Sequence, residues 1–114
     1  GRKIGVNRSE LESALRRVSV LSRDKANAVK VSFVSGQMTL FSSNPDFGEA
    51  TEELAAQYEG EALNTGFNAR YLLDVLGVMD GEMISLQMDN PLSPCLIQES
   101  ESPGFKCVVM PIKI

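Results

Sequence analysis

One short pattern occurs twice in this chain at a constant interval. Val6, Asn7, Leu11, Leu15 and Val18 are each matched 61 residues later by Phe67, Asn68, Leu72, Leu76 and Met79. In both copies an asparagine precedes apolar residues spaced three or four apart, as in an amphipathic helix with an N-cap. Asn7 is followed three residues on by Glu10, a loose capping box. Each copy continues with short alternating runs bounded by Gly, Pro and Asn, the mark of strands and hairpins. In the first copy Val29, Val31 and Phe33 alternate up to Ser35-Gly36, and Met38 and Leu40 continue beyond it. Asn44-Pro45 breaks that run, and Ala50, Leu54, Ala56 and Tyr58 follow at even spacing. In the second copy Asp80-Gly81 ends the helix, Ile84, Leu86 and Met88 alternate, and Asn90-Pro91 turns the chain. Strands are then expected over residues 92–99 and 105–112, with Pro103-Gly104 between them. The expected unit is strand–helix–three strands, written twice over about 1–58 and 59–114. The halves are too small to stand as separate domains. The fold class is therefore α+β, with both helices on one face of antiparallel sheet.

The composition narrows the chemistry. There is no histidine among the 114 residues, which removes the usual general base, the commonest zinc ligand and every Ser-His or Cys-His arrangement. No Gly-rich phosphate loop is present, and the acids are scattered over strand faces and turns. Neither a catalytic residue, a metal site nor a cofactor is expected. No apolar run approaches the roughly 18 residues that span a bilayer, and no secretory signal opens the chain. The start, Gly1-Arg2-Lys3, reads as the interior of a longer protein. Cys95 and Cys107 fall on neighbouring expected strands, so a disulfide is conceivable. Two reduced, half-buried thiols fit better without a secretory signal.

The net charge of −4 conceals a split. Residues 1–30 carry eight basic and three acidic side chains, a balance of +5, whereas the remaining 84 residues stand at −9. One face should tolerate an anion while another repels it or meets a basic partner. On a helical wheel, Leu11, Ala14, Leu15, Val18 and Leu21 share one apolar arc, with Arg16 and Arg17 outside it. Val20 points away from the core, either as an isolated exposed valine or as part of a subunit contact. The second helix is apolar over more than half its circumference, and Arg70, Asp74 and Gly77 form its only polar stripe. Some of that surface should meet something beyond its own sheet. Arg16 and Arg17 either face phosphate or are simply solvated. No stacking aromatics or base-reading cluster accompany them, so any nucleic-acid contact would be salt-sensitive and sequence-independent.

The last residues are the most informative. Cys107 to Ile114 form an apolar run with a methionine in it, where polar, frayed residues are usual. Methionine adapts to several partner shapes, so the run suggests a strand leading into a groove. Pro111 removes a ladder donor, and pairing should stop there.

These residues resemble the bacterial DNA polymerase III beta subunit family, the replicative sliding clamps. The resemblance is carried by Val108-Val109-Met110-Pro111-Ile112-Lys113-Ile114 and by Gly66-Phe67-Asn68-Ala69-Arg70-Tyr71-Leu72-Leu73-Asp74-Val75-Leu76. Ala14-Leu15-Arg16-Arg17-Val18-Ser19-Val20-Leu21-Ser22 adds to it. The segments keep the family's order and spacing over essentially the whole chain, which matches the third, C-terminal domain. The resemblance implies a non-catalytic processivity factor in the cytoplasm, in which two three-domain subunits close into a ring around duplex DNA. It implies a hydrophobic pocket for short peptides of the polymerase III catalytic subunit, the clamp loader and repair proteins. Carried over by position, that pocket comprises Asn68, Tyr71, Leu92, Pro94, Val108, Val109, Met110, Pro111 and Ile112. Ala26 departs from the bulky aromatic some clamps have there, and the far wall would belong to the preceding domain. The ring contact carries over to Val20, Leu21, Asp46, Glu49 and Glu52, and the DNA-facing side chains to Arg16, Arg17 and Arg70. A single such domain is expected to be monomeric. The alternatives are a generic α+β interaction domain unrelated to replication and a small enzyme built on a carboxylate pair.

Overall fold

The computed structural model describes residues 2–21, 28–99 and 104–112. Eight strands and two helices follow one another as β1 (Arg2–Asn7), α1 (Arg8–Ser19), β2 (Ala28–Val34), β3 (Gln37–Asn44) and β4 (Gly48–Ala55), then β5 (Leu63–Asn68), α2 (Ala69–Gly77), β6 (Met83–Met88), β7 (Cys95–Glu99) and β8 (Lys106–Val109). Each helix starts where an asparagine ends a strand. Asn7 Oδ1 accepts the Glu10 N–H at 3.0 Å, and Asn68 Oδ1 accepts those of Arg70 and Tyr71 at 3.0 and 3.2 Å. Both caps satisfy donors that the first helical turn leaves without partners.

The strands form two antiparallel sheets, ordered β1-β6-β7-β8 and β4-β3-β2-β5. The opening strand of each half pairs with the other half's strands: β1 with β6, from Arg2↔Met88 to Asn7↔Met83, and β5 with β2. The halves are thus interlocked, and neither has a complete sheet alone. Period-two alternation supplies the core: Val29, Val31 and Phe33 from β2, Ile84 and Leu86 from β6, and Ile4 and Val6 from β1 are all buried. Leu11, Ala14, Leu15 and Val18 seat α1 on that layer, and Ala69, Leu72 and Leu76 seat α2. The helices also pack against each other.

On β3 the inward positions change from Met38 and Leu40 to Ser42 and Asn44 where α1 ends. Ser42 Oγ donates to the Val18 carbonyl at 2.6 Å and Asn44 Nδ2 to that of Leu21 at 3.2 Å, occupying acceptors that a helix C-terminus leaves over. Three boundaries differ from expectation. Helix α2 stops at Gly77, with the Val78 and Met79 N–H groups folding back to Val75 and Leu76, although Met79 is still buried. β7 begins at Cys95 rather than residue 92, because residues 89–93 are held in a turn by Ser93 Oγ. β8 ends at Val109, before Pro111, since the chain there leaves its sheet for the other one.

That departure is closed by one backbone bond, Ile112 N–H to the Gly66 carbonyl of β5 at 2.9 Å. The first half does the same after β4, where Gln57 and Gly5 of β1 exchange bonds of 2.7 and 3.0 Å. A Cβ on Gly5 would sit 2.9 Å from Gln57 Oε1, the far end of a flexible side chain that can move aside.

Candidate functional site

Between α2 and the segment after β8 lies an open groove of about 550 Å³. One wall is the helix stripe Asn68, Tyr71, Asp74 and Val75; the other is Cys107, Val108, Val109, Met110, Pro111 and Ile112. The cap at Asn68 sets the first turn of α2, and therefore where Tyr71 stands. The Ile112–Gly66 bond holds the opposite wall across β5. Tyr71 is 61% exposed, Val108 59% and Met110 61%, while Val109 between them is buried. Large apolar side chains left in water on both walls of one trench mark a surface suited to apolar side chains of a partner.

Seven residues singled out from the sequence line this groove: Asn68, Tyr71, Val108, Val109, Met110, Pro111 and Ile112. Leu92 and Pro94 do not; both are exposed around the β6–β7 turn, which is attached to β5 by Thr65 Oγ1 donating to the Pro91 carbonyl at 2.7 Å. Ala26 lies outside the described residues. Asp74, Val75 and Cys107 also line the groove and were not singled out. The signal was available for two of them, since positions three and four after Tyr71 share its helix face.

The two thiols are free. The register pairs Cys95 with Val109 and Cys107 with Ile97, so the cysteines are diagonal neighbours rather than opposite each other. Burial pushes the Cys95 thiol up to about 11, against a smaller opposing effect of a backbone hydrogen bond at Gln87. Cys107, on the groove wall, is only half-buried.

A second groove, of about 390 Å³, occupies the equivalent place in the first half. Glu10, Ser13 and Ala14 stand 61 residues before Tyr71, Asp74 and Val75, and Glu52, Glu53, Leu54 and Ala55 stand 55 before Cys107, Val108, Val109 and Met110. Its walls are polar where those of the first groove are apolar. Three carboxylates line it, those of Glu10, Glu52 and Glu53. Glu52 is bound to Arg17 at 2.7 Å, which holds its carboxyl below the ordinary range, and Glu53 accepts from Gln37 Nε2 at 2.9 Å. The Arg17 bond favours the ionised form of Glu52, so Glu52 is not the proton-keeping member of a catalytic carboxylate pair. Among the described residues no group of three or more His, Cys, Asp or Glu could hold a metal ion.

The remaining singled-out residues gather on the α1 side. Val20 is 55% exposed at the end of α1, and Leu21 beside it is half-buried. The Asn44–Leu21 bond ties that end to the β3–β4 turn, which carries exposed Asp46 and Phe47, with exposed Glu49 next on β4. Phe47, 76% exposed, was not singled out from the sequence. Arg16 reaches Glu12 at 3.4 Å, and Arg70 is exposed on α2. Arg17 and Glu52, assigned to different surfaces from the sequence, are ion-paired with each other.

The family model for the DNA polymerase III beta subunit, C-terminal domain, matches residues 1–113. The chain belongs to that family. The beta sliding clamp of Pseudomonas putida is 38% identical over 108 residues, covering 95% of this chain and 29% of that protein. The Caulobacter vibrioides clamp is 40% identical over 101 residues, covering 89% of this chain and 27% of that protein. Among solved structures, the Bartonella birtlesii sliding clamp bound to griselimycin superposes with a TM-score of 0.93 at 39% identity, covering 99% of this chain and 30% of that one. A Pseudomonas aeruginosa clamp superposes at 0.96 with 32% identity, covering 100% and 32%. The clamp domain described here thus spans about a third of the length of the relatives it matches. The two-sheet, two-helix α+β architecture is that of the solved clamps.

Proposed function

We propose that this clamp domain works as the peptide-docking third of a non-catalytic, ring-shaped processivity factor of bacterial DNA replication. The observation that carries the reading is the open apolar groove between α2 and residues 107–112. A folded domain gains by burying Tyr71, Val108 and Met110, yet here they stand in water around one trench. Short apolar segments of polymerase, clamp-loader and repair proteins would supply the missing contacts, with the preceding domain forming the far wall. Leu92 and Pro94 would then serve as contacts outside the groove.

In this reading Val20, Leu21, Asp46, Glu49 and Glu52, joined by Phe47, face the neighbouring subunit of a homodimeric ring. The apolar pair provides buried area, and the acids select a basic partner surface. The two halves, about 1–58 and 59–114, are pseudo-repeats that place both helices towards the hole. Arg16, Arg17 and Arg70 there meet duplex DNA only loosely, Arg17 sharing its charge with Glu52. Loose contacts let the ring slide, while docking converts a distributive polymerase into a tethered one by raising its effective concentration at the primer end. The setting is the bacterial cytoplasm. No helix among the described residues is long and apolar enough to cross a membrane.

The test is fluorescence anisotropy with a labelled Gln-Leu-Ala-Leu-Phe peptide. Saturable binding is expected, lost in Tyr71→Ala and in Met110→Ala. Both side chains are exposed, so both variants should stay folded. Binding that survives both substitutions, or none even when the preceding domain is attached, would sink the proposal.

A further inference from the structure

We infer that Asp74 sets the charge preference of the groove, favouring peptides that carry a lysine or arginine about three residues from the one seated at Asn68. The inference rests on the docking reading and names the ligand class that reading leaves open. Among the described residues Asp74 supplies the only carboxylate lining the groove, whose walls are otherwise apolar apart from Asn68, the Tyr71 hydroxyl and the Cys107 thiol. It is exposed on the rim, one turn beyond Tyr71. Among the described residues nothing engages its carboxylate. Neither Arg70, four residues earlier on the same helix, nor Lys106, next to Cys107 on β8, is paired with it. Among the described residues the rim therefore holds one uncompensated negative charge beside an apolar trench, and a bound peptide with a cation there gains an ion pair that a neutral or acidic one lacks.

The helix sets where the cation must be. Six residues separate Asn68 from Asp74, which at 1.5 Å rise per residue is about 9 Å along the axis. An extended peptide advances about 3.3 Å per residue and covers that distance in about three residues. The equivalent position in the polar twin groove is Ser13, which is uncharged, so a carboxylate at this helix position is particular to the apolar groove.

The experiment uses Gln-Leu-Ala-Leu-Phe lengthened by three residues at each end. Lys, Ala or Glu is placed in turn at the central and each flanking position, and anisotropy is measured with this chain and with Asp74→Asn. An exposed pair predicts that at one position the Lys peptide binds about two- to fivefold tighter than the Glu peptide at low salt. The gap should vanish in Asp74→Asn and shrink near 1 M salt, where the screening length is about 3 Å. A gap of the same size in Asp74→Asn, or no position showing one, overturns the inference. The all-Ala peptide separates the two claims. If it binds both proteins equally while no gap exists, docking stands and the role of Asp74 fails; if it binds neither this chain nor the chain with its preceding domain attached, docking fails and takes this inference with it.

Discussion

The duplicated caps allow stability and docking to be separated within one molecule. Asn68→Ala removes the acceptor for two backbone N–H groups, those of Arg70 and Tyr71, at the start of a nine-residue helix. Asn7→Ala removes the acceptor for one, that of Glu10, at the start of a twelve-residue helix. Loss of an N-cap costs about 1 kcal/mol, within a range of about 0.5–2. Two orphaned donors put Asn68→Ala in the upper half of that range, and the single donor puts Asn7→Ala in the lower half. For a domain of this size, 1 kcal/mol lowers the melting temperature by about 4 °C, so drops of about 6 and 3 °C are expected. So short a helix is marginal without tertiary support, and a frayed first turn displaces Tyr71, which belongs to that turn. Thermal melts by circular dichroism and peptide anisotropy should therefore diverge. Both variants lose stability, but only Asn68→Ala loses docking, by more than its small unfolded fraction explains. Asn68→Asp, which keeps an acceptor, should recover most of the stability. Equal loss of docking in Asn7→Ala, or an unchanged melt in Asn68→Ala, would refute the link from cap to groove.

Two further outcomes follow from the core. The Cys95 thiol is raised from 9.0 to about 11, so the folded state holds its proton more tightly than the unfolded chain. The resulting stability is complete below pH 9 and lost between pH 9 and 11, about 2–3 kcal/mol in all. Urea melts of wild type against Cys95→Ala across that window should show the extra slope only in the wild type, and parallel slopes would contradict it. Leu15 is fully buried between α1 and the sheets, and Leu15→Ala should cost about 2–5 kcal/mol, read as a lower urea midpoint with unchanged slope. A cost under about 1 kcal/mol would mean the α1 interface is not packed as described.

Some of this molecule is written locally. The caps at Asn7 and Asn68, the helix faces and the alternation of Val29, Val31 and Phe33 depend on neighbours within about four residues. Short-range periodicity therefore exposed them. The α+β class and the strand–helix–three-strand order followed from the same signals. Most of the groove was also legible, but through a different route. The apolar run from Cys107 to Ile114 suggested a groove by its composition, but its pairing with Tyr71 came from a family resemblance, because nothing in spacing alone brings residues about 40 apart together.

The tertiary structure decided the rest, because it depends on which surfaces meet across the fold. Antiparallel alternation is satisfied by any partner strand, so the exchange that pairs β1 with β6 and β2 with β5 is invisible in the pattern. The final strand stops at Val109 because the Ile112 N–H finds the Gly66 carbonyl on the other sheet, a bond 46 residues long in sequence. Arg17 meets Glu52 because α1 packs beside β4, and that pairing joins two side chains which sequence position had assigned to separate surfaces. Leu92 and Pro94 fall outside the groove for a similar reason: the turn that carries them is anchored to β5 rather than to α2. Asp74 acquires its place on the rim only when α2 lies against residues 107–112. Local chemistry determined the elements and their faces; the burial of those faces against one another determined which residues became neighbours.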